Sequence, residues 1–448
     1  MNAMPKDSSL ATALETGASN TSVQAQTRII RRLIWLYVIL WLIEGGLRRW
    51  ILPGLQSPLL LVRDPVVIAI YGLALSKGLF PSNGFIYSGA ALAFLTFCNA
   101  LLLGHGNPWV ALYGVRCDFL HLPLIFIIGQ VFRERDILAF AKAAVWLAMP
   151  YTALLVAQFY EPQTAWINRG VGGDMDGAGF SGALDRFRPP GTFSFISGPS
   201  ELYPLLTACW FVILIVKPLP MWLMMGSGLA ILTAIPVSIS RSLFLSVVLV
   251  SMAGIGTMIM GKRLSMGMAV KFALISLVIS LAGTQLPAFK DGMEAFSARW
   301  QDSTMNEGGF EVSIVDRVMQ DLIGSFDEVS GSGLGTGFST NVGQKMLTQH
   351  VGFGASESEW GRLLFDNGVV LGGLMIIYRV ALASFIVLVS VRAWRGGSLL
   401  SLIFASSAFM LLLNGQWGQA TTLGSSVICG GVTLSAGNSW RKSTKLLA

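Results

Sequence analysis

The chain alternates long apolar runs with short polar connections along almost its whole length. Apolar runs that are long enough to cross a bilayer, or nearly so, begin around twelve positions: Leu33, Leu59, Phe85, Trp109, Ile137, Leu202, Met221, Leu243, Phe272, Val369, Leu399 and Leu423. The last run is short and rich in glycine. The pattern predicts an all-α polytopic membrane protein with about twelve transmembrane helices.

Two longer polar stretches interrupt this pattern. The predicted order is a tail at residues 1–32, spans one to five at 33–160, a loop at 161–199, spans six to nine at 200–285, a large loop at 286–362, spans ten to twelve at 363–436 and a tail at 437–448. The first loop is glycine-rich, so we expect it to be mobile or wrapped around another element. The second contains helix-like stretches, such as residues 313–326 behind a candidate Ser313 cap.

Charge gives the predicted spans an orientation. The connections predicted on one side carry most basic residues that lie close to spans: Arg28, Arg31, Arg32, Lys77, Arg133, Arg135, Lys142, Lys217, Lys262, Arg263, Lys271, Arg392, Arg395, Arg441, Lys442 and Lys445. Positive residues favour the cytoplasmic side, although Arg48 and Arg49 break the pattern. We therefore expect cytoplasmic N- and C-termini and two long loops that face outward, the larger between spans nine and ten.

Composition excludes several other classes of protein. Hydrophobic residues make up 53% of the chain and charged residues only 12%, about half the usual charged fraction. The net charge of +7 is scattered between apolar runs, which favours contact with anionic lipid over nucleic acid. Four cysteines, at 98, 117, 209 and 429, lie in apolar stretches without a CxxC pair, so we expect neither disulfide nor metal chemistry.

Several charged residues fall at membrane depth, where each needs a partner or a role. Arg63 stands beside Asp64, Arg116 lies near Asp118, and Glu44 and Arg48 have the spacing that pairs on one helix face. Glu201 and Arg379 are further cases, and His121 in span four fits a polar network. Pairing within the protein is the simpler interpretation of this group.

Two arginines stand at predicted outer junctions instead. Arg188 precedes two prolines and Gly191 just before span six, and Arg241 follows Ser240 between spans seven and eight. Two guanidiniums at an outer interface suit bidentate binding of phosphate oxygens. For either arginine alone, a side chain that reaches to the interface is the alternative.

The end of the large loop carries carboxylates close to the membrane. Glu357 and Glu359 are two residues apart and would point to different faces of a helix, so only one of them is expected to reach a given substrate atom. His350 lies a few residues earlier and is either a participant or a solvated loop residue. The glycine-rich residues 331–337 lack the strand and the Lys-Ser/Thr of a phosphate loop, so they are expected to mark turns.

Taken in order, four of these features resemble the O-antigen polymerase and O-antigen ligase family of bacterial membrane glycosyltransferases, within the C-type glycosyltransferase class. They are residues 188–193, the junction at 238–241, the glycine stretch at 331–337 and the carboxylate segment that leads into residues 367–373. The first spans match in hydropathy alone. Counting back from Gly368, the histidine position of ligase members falls on Glu357, which favours the polymerase members.

The resemblance implies a polysaccharide polymerase of the bacterial inner membrane with its active side outward. Such an enzyme transfers a glycan from an undecaprenyl-pyrophosphate carrier to an acceptor sugar hydroxyl, in O-antigen, capsule or exopolysaccharide synthesis. Arg188 and Arg241 would hold the pyrophosphate, with Arg116 as a helper and without metal or cofactor. Glu357 would be the general base, with Glu359 as second choice. Further candidates are His350, Arg362 and Arg63. The implied partners are membrane lipids and a flippase and chain-length regulator of the same pathway.

Other functions fit part of the same pattern. A ligase would transfer the glycan to a lipid A core. A transporter or flippase of lipid-linked oligosaccharide would also use many spans and intramembrane charges, although its substrate site would lie near the midplane between repeated halves. A structural membrane scaffold is the third alternative.

Overall fold

The computed structural model describes residues 8–177, 182–216, 219–260, 284–306, 331–348 and 358–445. These residues are predominantly helical and contain no β-strand, which confirms that the fold is all-α. The α-helices are α1 (Ser8–Gly46), α2 (Gln56–Leu59), α3 (Asp64–Ser76), α4 (Gly84–Leu102), α5 (Pro108–Val115), α6 (Leu122–Val131), α7 (Glu134–Tyr160), α8 (Ser197–Val216), α9 (Met221–Val237), α10 (Arg241–Met260), α11 (Pro287–Asn306), α12 (Asn341–Leu347), α13 (Glu359–Arg395), α14 (Leu400–Asn414) and α15 (Ala420–Lys445).

Seven helical stretches of the described chain are long and apolar enough to cross a membrane: Pro53–Ser76, Gly84–Leu102, Pro108–Val131, Glu134–Tyr160, Ser197–Val216, Arg241–Met260 and Glu359–Arg395. The apolar helices α9 and α14 are shorter and coincide with two further predicted spans. The predicted starts at Leu33 and Leu423 lie within α1 and α15. The start at Phe272 and the predicted helix at 313–326 lie outside the described residues.

Local sequence signals set several helix starts. The side chains of Asn83 and Asn107 accept hydrogen bonds from the first free backbone amides of α4 and α5, and Pro108 occupies the first position of α5. Ser358 caps α13 and Thr340 caps α12 in the same way. These polar caps satisfy amides that would otherwise lack partners at the helix ends.

Three irregular turns bring polar groups into the bundle. Leu47–Ile51 and Arg116–Leu120 are π-helical, a geometry that often accompanies functional or strained sites. In α13 the backbone leaves the helical region at Gly368, where φ is 73°. Each irregularity lies beside buried charged residues that are described below.

The distribution of side chains is that of a protein in lipid. Large apolar residues face outward on α13, where Val370 is 72% and Ile377 65% exposed, whereas Arg63, Arg362 and Asp366 are buried. Apolar exteriors and paired polar interiors characterise membrane bundles. Helices α6, α13, α14 and α15 pack together, α8 lies against α14 and α10, and α11 packs on α9.

Hydrogen bonds gather the starts of α8, α10, α13 and α15 at one end of the molecule. The Ser200 and Ser240 hydroxyls are 2.9 Å apart, and Ser197 donates to the Gln419 side chain over 3.1 Å. The backbone amide of Trp417 donates to Glu359 over 3.3 Å. The residues that precede these four helices therefore lie near one another.

Candidate functional site

The segment before α8 that carries Arg188 is fixed by hydrogen bonds from three sides. Arg49 donates to the carbonyls of Gly191 (2.8 Å) and Phe193 (3.1 Å), and Gln158 accepts from the Gly191 amide over 2.8 Å. Thr192 donates to the Leu42 carbonyl over 2.6 Å. Gly191 has a φ of 64°, and a Cβ there would overlap the Tyr151 side chain, so only glycine fits.

Arg49 therefore has a structural role that its position in a predicted outer loop did not indicate. Besides the two carbonyls of the Arg188 segment, it donates to the carbonyls of Ile167 (3.1 Å) and Arg169 (2.6 Å). The π-helical turn that contains Arg49 turns the side chain inward, where it is 1% exposed. One guanidinium thus joins the two ends of the first long loop.

Arg241 is the first residue of α10, next to a strained backbone. Ser240 caps this helix, since its hydroxyl accepts from the Leu243 amide over 3.3 Å. Ile239 has a φ of 47°, which is rare for a β-branched residue. The serine-rich junction is thus held in one conformation, with Arg241 at its edge.

A third arginine joins this pair. Arg299, on α11, donates to the Gly182 carbonyl over 3.2 Å. Burial, and after it the charges of Arg299 and Arg241, lower the pKa of Arg188 from 12.5 to about 10. Arg188 is half-buried, and its Nε makes no hydrogen bond within the described residues. We call Arg188, Arg241 and Arg299 the arginine cluster.

The predicted base Glu359 lies in a buried ion network. Its carboxylate accepts hydrogen bonds from Arg362 over 2.8 and 2.9 Å and from Arg379. Arg362 also binds Asp118 over 2.6 Å and Asp366 over 3.3 Å. Both oxygens of Glu359 are therefore engaged, and the residue is 1% exposed.

A second buried network surrounds Asp64. Arg116 donates to both Asp64 oxygens over 2.7 and 2.8 Å, and Arg63 pairs with Glu44 over 3.1 Å. His121 Nε2 is 3.0 Å from Asp64 Oδ1. Arg116 and Arg63 thus bind carboxylates of neighbouring helices.

The direction of each hydrogen bond in this network follows from which groups can donate and which can only accept. The Asp64 carboxylate, paired with Arg116, can only accept from His121 Nε2, so Nδ1 of the neutral imidazole accepts from the Tyr37 hydroxyl over 2.9 Å, and that hydroxyl accepts from Arg63 over 3.3 Å. His121 then carries its hydrogen on Nε2, toward Asp64. Of the pairings expected from the sequence, Glu44 with Arg48 is confirmed at 3.4 Å, and so is the polar network around His121.

The partners expected for two other residues were wrong. Asp64 binds Arg116 instead of its neighbour Arg63, and Asp118 binds Arg362 instead of Arg116. A side chain beside another in the sequence points to a different helix face, so tertiary contacts decide these pairs. Glu201 accepts hydrogen bonds from Thr422 and Ser425.

The glycine-rich stretch at 331–337 forms turns, as expected. Gly333, Gly335 and Gly337 have positive φ, and a Cβ at Gly333 would overlap the Gly368 amide. Backbone amides of this stretch donate to carbonyls of α13, Leu334 to Phe365 over 2.8 Å and Gly335 to Asp366 over 2.7 Å. The break of α13 at Gly368 and the turns of this stretch fit together by close backbone contact.

The predicted site residues thus fall into three groups. The structure brings Arg188 and Arg241 together. Four more lie in buried ion pairs: Glu359, Arg362, Arg116 and Arg63. Glu357 and His350 lie outside the described residues. Arg299 could not be predicted from the sequence, because its role depends on how α11 packs over α9.

Elsewhere, the described residues form an apolar groove and no metal site. Within the described residues, no group of three or more His, Cys, Asp and Glu side chains is placed to hold a metal ion. A groove of about 650 Å³ lies between α4 and α13, lined by apolar side chains together with Asn83, Ser88 and Tyr378. It shares no residue with the arginine cluster, so it offers apolar contact and not the polar chemistry of group transfer.

Comparison with known proteins finds no match: neither a family model, nor a curated protein, nor a solved structure resembles the chain closely enough to be identified with it.

Proposed function

We propose that the protein is a polysaccharide polymerase that transfers a glycan from an undecaprenyl-pyrophosphate carrier to an acceptor sugar hydroxyl. The observation that carries this proposal is the arginine cluster: Arg299 of α11 donates to the Gly182 carbonyl, six residues before Arg188, and burial, followed by the charges of Arg299 and Arg241, lowers the pKa of Arg188 to about 10. Concentrated positive charge on rigid backbone attracts a multiply charged anion. Pyrophosphate is such an anion, and guanidiniums bind its oxygens in pairs.

In the reaction, the acceptor oxygen forms a bond to the anomeric carbon while the bond from that carbon to the pyrophosphate oxygen breaks. The leaving lipid pyrophosphate gains negative charge, which the arginine cluster stabilises. The acceptor proton passes to a general base, for which Glu357 stays our first choice. Glu359 is less suited, because two arginines already hold its carboxylate.

We place this chemistry on the outer face of a bacterial inner membrane, with about twelve spans and cytoplasmic termini. Gln158, at the end of α7, binds the Arg188 segment, so the start of α7 with Arg133 and Arg135 lies at the opposite end. The end of α13, with Arg392 and Arg395, lies opposite its start in the same way. Basic residues favour the cytoplasmic side, which leaves the arginine cluster outside.

Polymer formation in cells tests the proposal. Arg241→Ala is expected to lower polymer yield at least tenfold at normal protein levels, because one charge-assisted contact to the leaving group is lost. Glu357→Gln tests the base in the same assay. Wild-type polymer length in both variants contradicts the assignment of the site.

The same cells separate polymerase from ligase. A deletion strain of a polymerase makes no long glycan, whereas a ligase deletion accumulates polymer on its lipid carrier. Purified protein that moved lipid-linked glycan between leaflets without forming glycosidic bonds would support a flippase instead.

A further inference from the structure

Strained backbone is concentrated beside the arginine cluster. Within the described residues, three non-glycine residues have positive φ: Leu184 (53°), Asp185 (57°) and Ile239 (47°). The first two lie four and three residues before Arg188, and the third lies two residues before Arg241. Bulky and β-branched residues adopt this conformation rarely, and such strain persists where function requires it.

The turn that contains Leu184 and Asp185 is closed by two backbone hydrogen bonds. The Arg186 amide donates to the Ala183 carbonyl over 3.0 Å, and the Gly182 amide donates to the Arg186 carbonyl over 2.9 Å. Turns with two consecutive positive φ values favour Asn-Gly. Leu-Asp at the two central positions is therefore a costly choice for the turn itself.

Neighbouring elements hold this turn against the arginine cluster. Arg299 donates to the Gly182 carbonyl, and the Ile239 side chain lies so close to Gly182 that a Cβ there would overlap it. The Arg186 guanidinium lies 5.1 Å from the ring centres of both Phe159 and Tyr160. The turn is thus joined to α7, α11 and the segment before α10.

The tip of the turn presents an apolar and an acidic side chain to solvent. Leu184 is 56% exposed, and Asp185 is exposed and accepts no hydrogen bond from the described residues. A carboxylate repels pyrophosphate, so this tip is not suited to the donor anion. It is suited to a neutral polyhydroxyl ligand, because two carboxylate oxygens accept from adjacent hydroxyls while an alkyl side chain covers the C–H face.

We propose that Leu184 and Asp185 form the subsite for the acceptor glycan, next to the arginines that bind the donor. Asp185 accepts hydrogen bonds from two neighbouring sugar hydroxyls, and Leu184 packs against the sugar ring. This inference rests on the proposed function. It adds a position that selects the acceptor and leaves the general base unchanged.

Equilibrium binding to the purified protein in nanodiscs tests the subsite with two probes. One probe is the single-repeat oligosaccharide released from the polymer of the native strain, and the other is undecaprenyl pyrophosphate. Asp185→Asn keeps the turn, since asparagine tolerates positive φ, but it removes the charge. We expect it to weaken oligosaccharide binding roughly tenfold or more and to leave undecaprenyl pyrophosphate binding unchanged.

Matched variants separate the possible failures. Leu184→Gly is expected to weaken oligosaccharide binding less than Asp185→Asn does. Asp176 is an exposed carboxylate of the same loop, and Asp176→Asn is expected to leave the binding of both probes unchanged. Absent oligosaccharide binding by the wild type, or equal binding by Asp185→Asn, overturns the subsite. Unchanged undecaprenyl pyrophosphate binding by Arg241→Ala overturns the proposed function, and it does so whatever the oligosaccharide result.

Discussion

Arg188 is a residue whose charge opposes folding and, in the proposed function, favours binding of the donor anion. Its pKa is lowered to about 10 by burial and then by Arg299 and Arg241, so the folded protein disfavours the charged form. For a base with a lowered pKa, this cost is fully present below about pH 10. It is relieved as pH rises from about 10 toward 12.5. Binding of an anion removes the same cost at neutral pH.

Arg188→Met is therefore expected to stabilise the ligand-free protein and to abolish its stabilisation by pyrophosphate lipids. We expect a melting temperature higher by roughly 2 °C, the order of shift that about 1 kcal/mol gives in a large domain. Thermal unfolding at pH 7 and above pH 10 measures it. The gain in melting temperature should shrink at the higher pH. Arg32 is exposed, and the control Arg32→Met should have the melting temperature of the wild type at both pH values.

A single substitution at Arg362 tests the buried ion network. It binds Glu359, Asp118 and Asp366, so Arg362→Met leaves buried carboxylates without their shared cation. The expected loss is about 3–5 kcal/mol, the cost of breaking a buried pair from one side. The yield of folded protein after detergent extraction should fall sharply.

Adding Asp118→Asn to Arg362→Met should restore part of that yield. The second change removes one buried charge, while Glu359 keeps its bond to Arg379. If Arg362→Met alone extracts and unfolds like the wild type, the network does not hold α13 in place.

Among the helices, α13 is the element whose irregularity has a clear structural consequence. Its break at Gly368 admits the turns at 331–337, and a Cβ at Gly368 would overlap the Gly331 carbonyl oxygen. Gly368→Ala is expected to destabilise the protein by about 2 kcal/mol or more, because it adds strain at positive φ to a backbone clash. Thermal unfolding of the purified variant measures the change.

Gly373 offers the matched control five residues later. A Cβ there meets no atom within 4 Å, so Gly373→Ala should be neutral or stabilise by roughly 0.5–1 kcal/mol, the helix preference for alanine. Equal effects of the two substitutions would show that the break at Gly368 is not required for packing.

Hydrophobic periodicity predicted the helices well, because a bilayer requires continuous apolar runs and internal hydrogen bonding. It predicted poorly where helices become irregular and which partners the buried charged residues have. The π-helical turn at Arg116–Leu120 sends Arg116 to Asp64 and Asp118 to Arg362, which are 52 and 244 residues away. Arg299 could not be predicted for the same reason, since packing of α11 brings it to Arg188. Arg188 and Arg241 could be found because arginine is unusual at such junctions.

In the molecule as a whole, charged residues have two separate uses. Arg362, Arg379, Arg116 and Arg63 pair with carboxylates inside the bundle. Arg188, Arg241 and Arg299 lie at one end of the candidate spans, near the starts of α8 and α10. The first group holds helices together and the second concentrates positive charge at one end. Only the second arrangement is suited to a diffusing anionic lipid.

The affinity of undecaprenyl pyrophosphate for the protein in nanodiscs tests this central claim most directly. The wild type should bind it more tightly than undecaprenol, and methionine at Arg188, Arg241 or Arg299 should each weaken binding roughly tenfold or more, with Arg32→Met unchanged. Equal affinity for the pyrophosphate and the alcohol, or full affinity in the Arg241 variant, would contradict the assignment of the arginine cluster as the donor site.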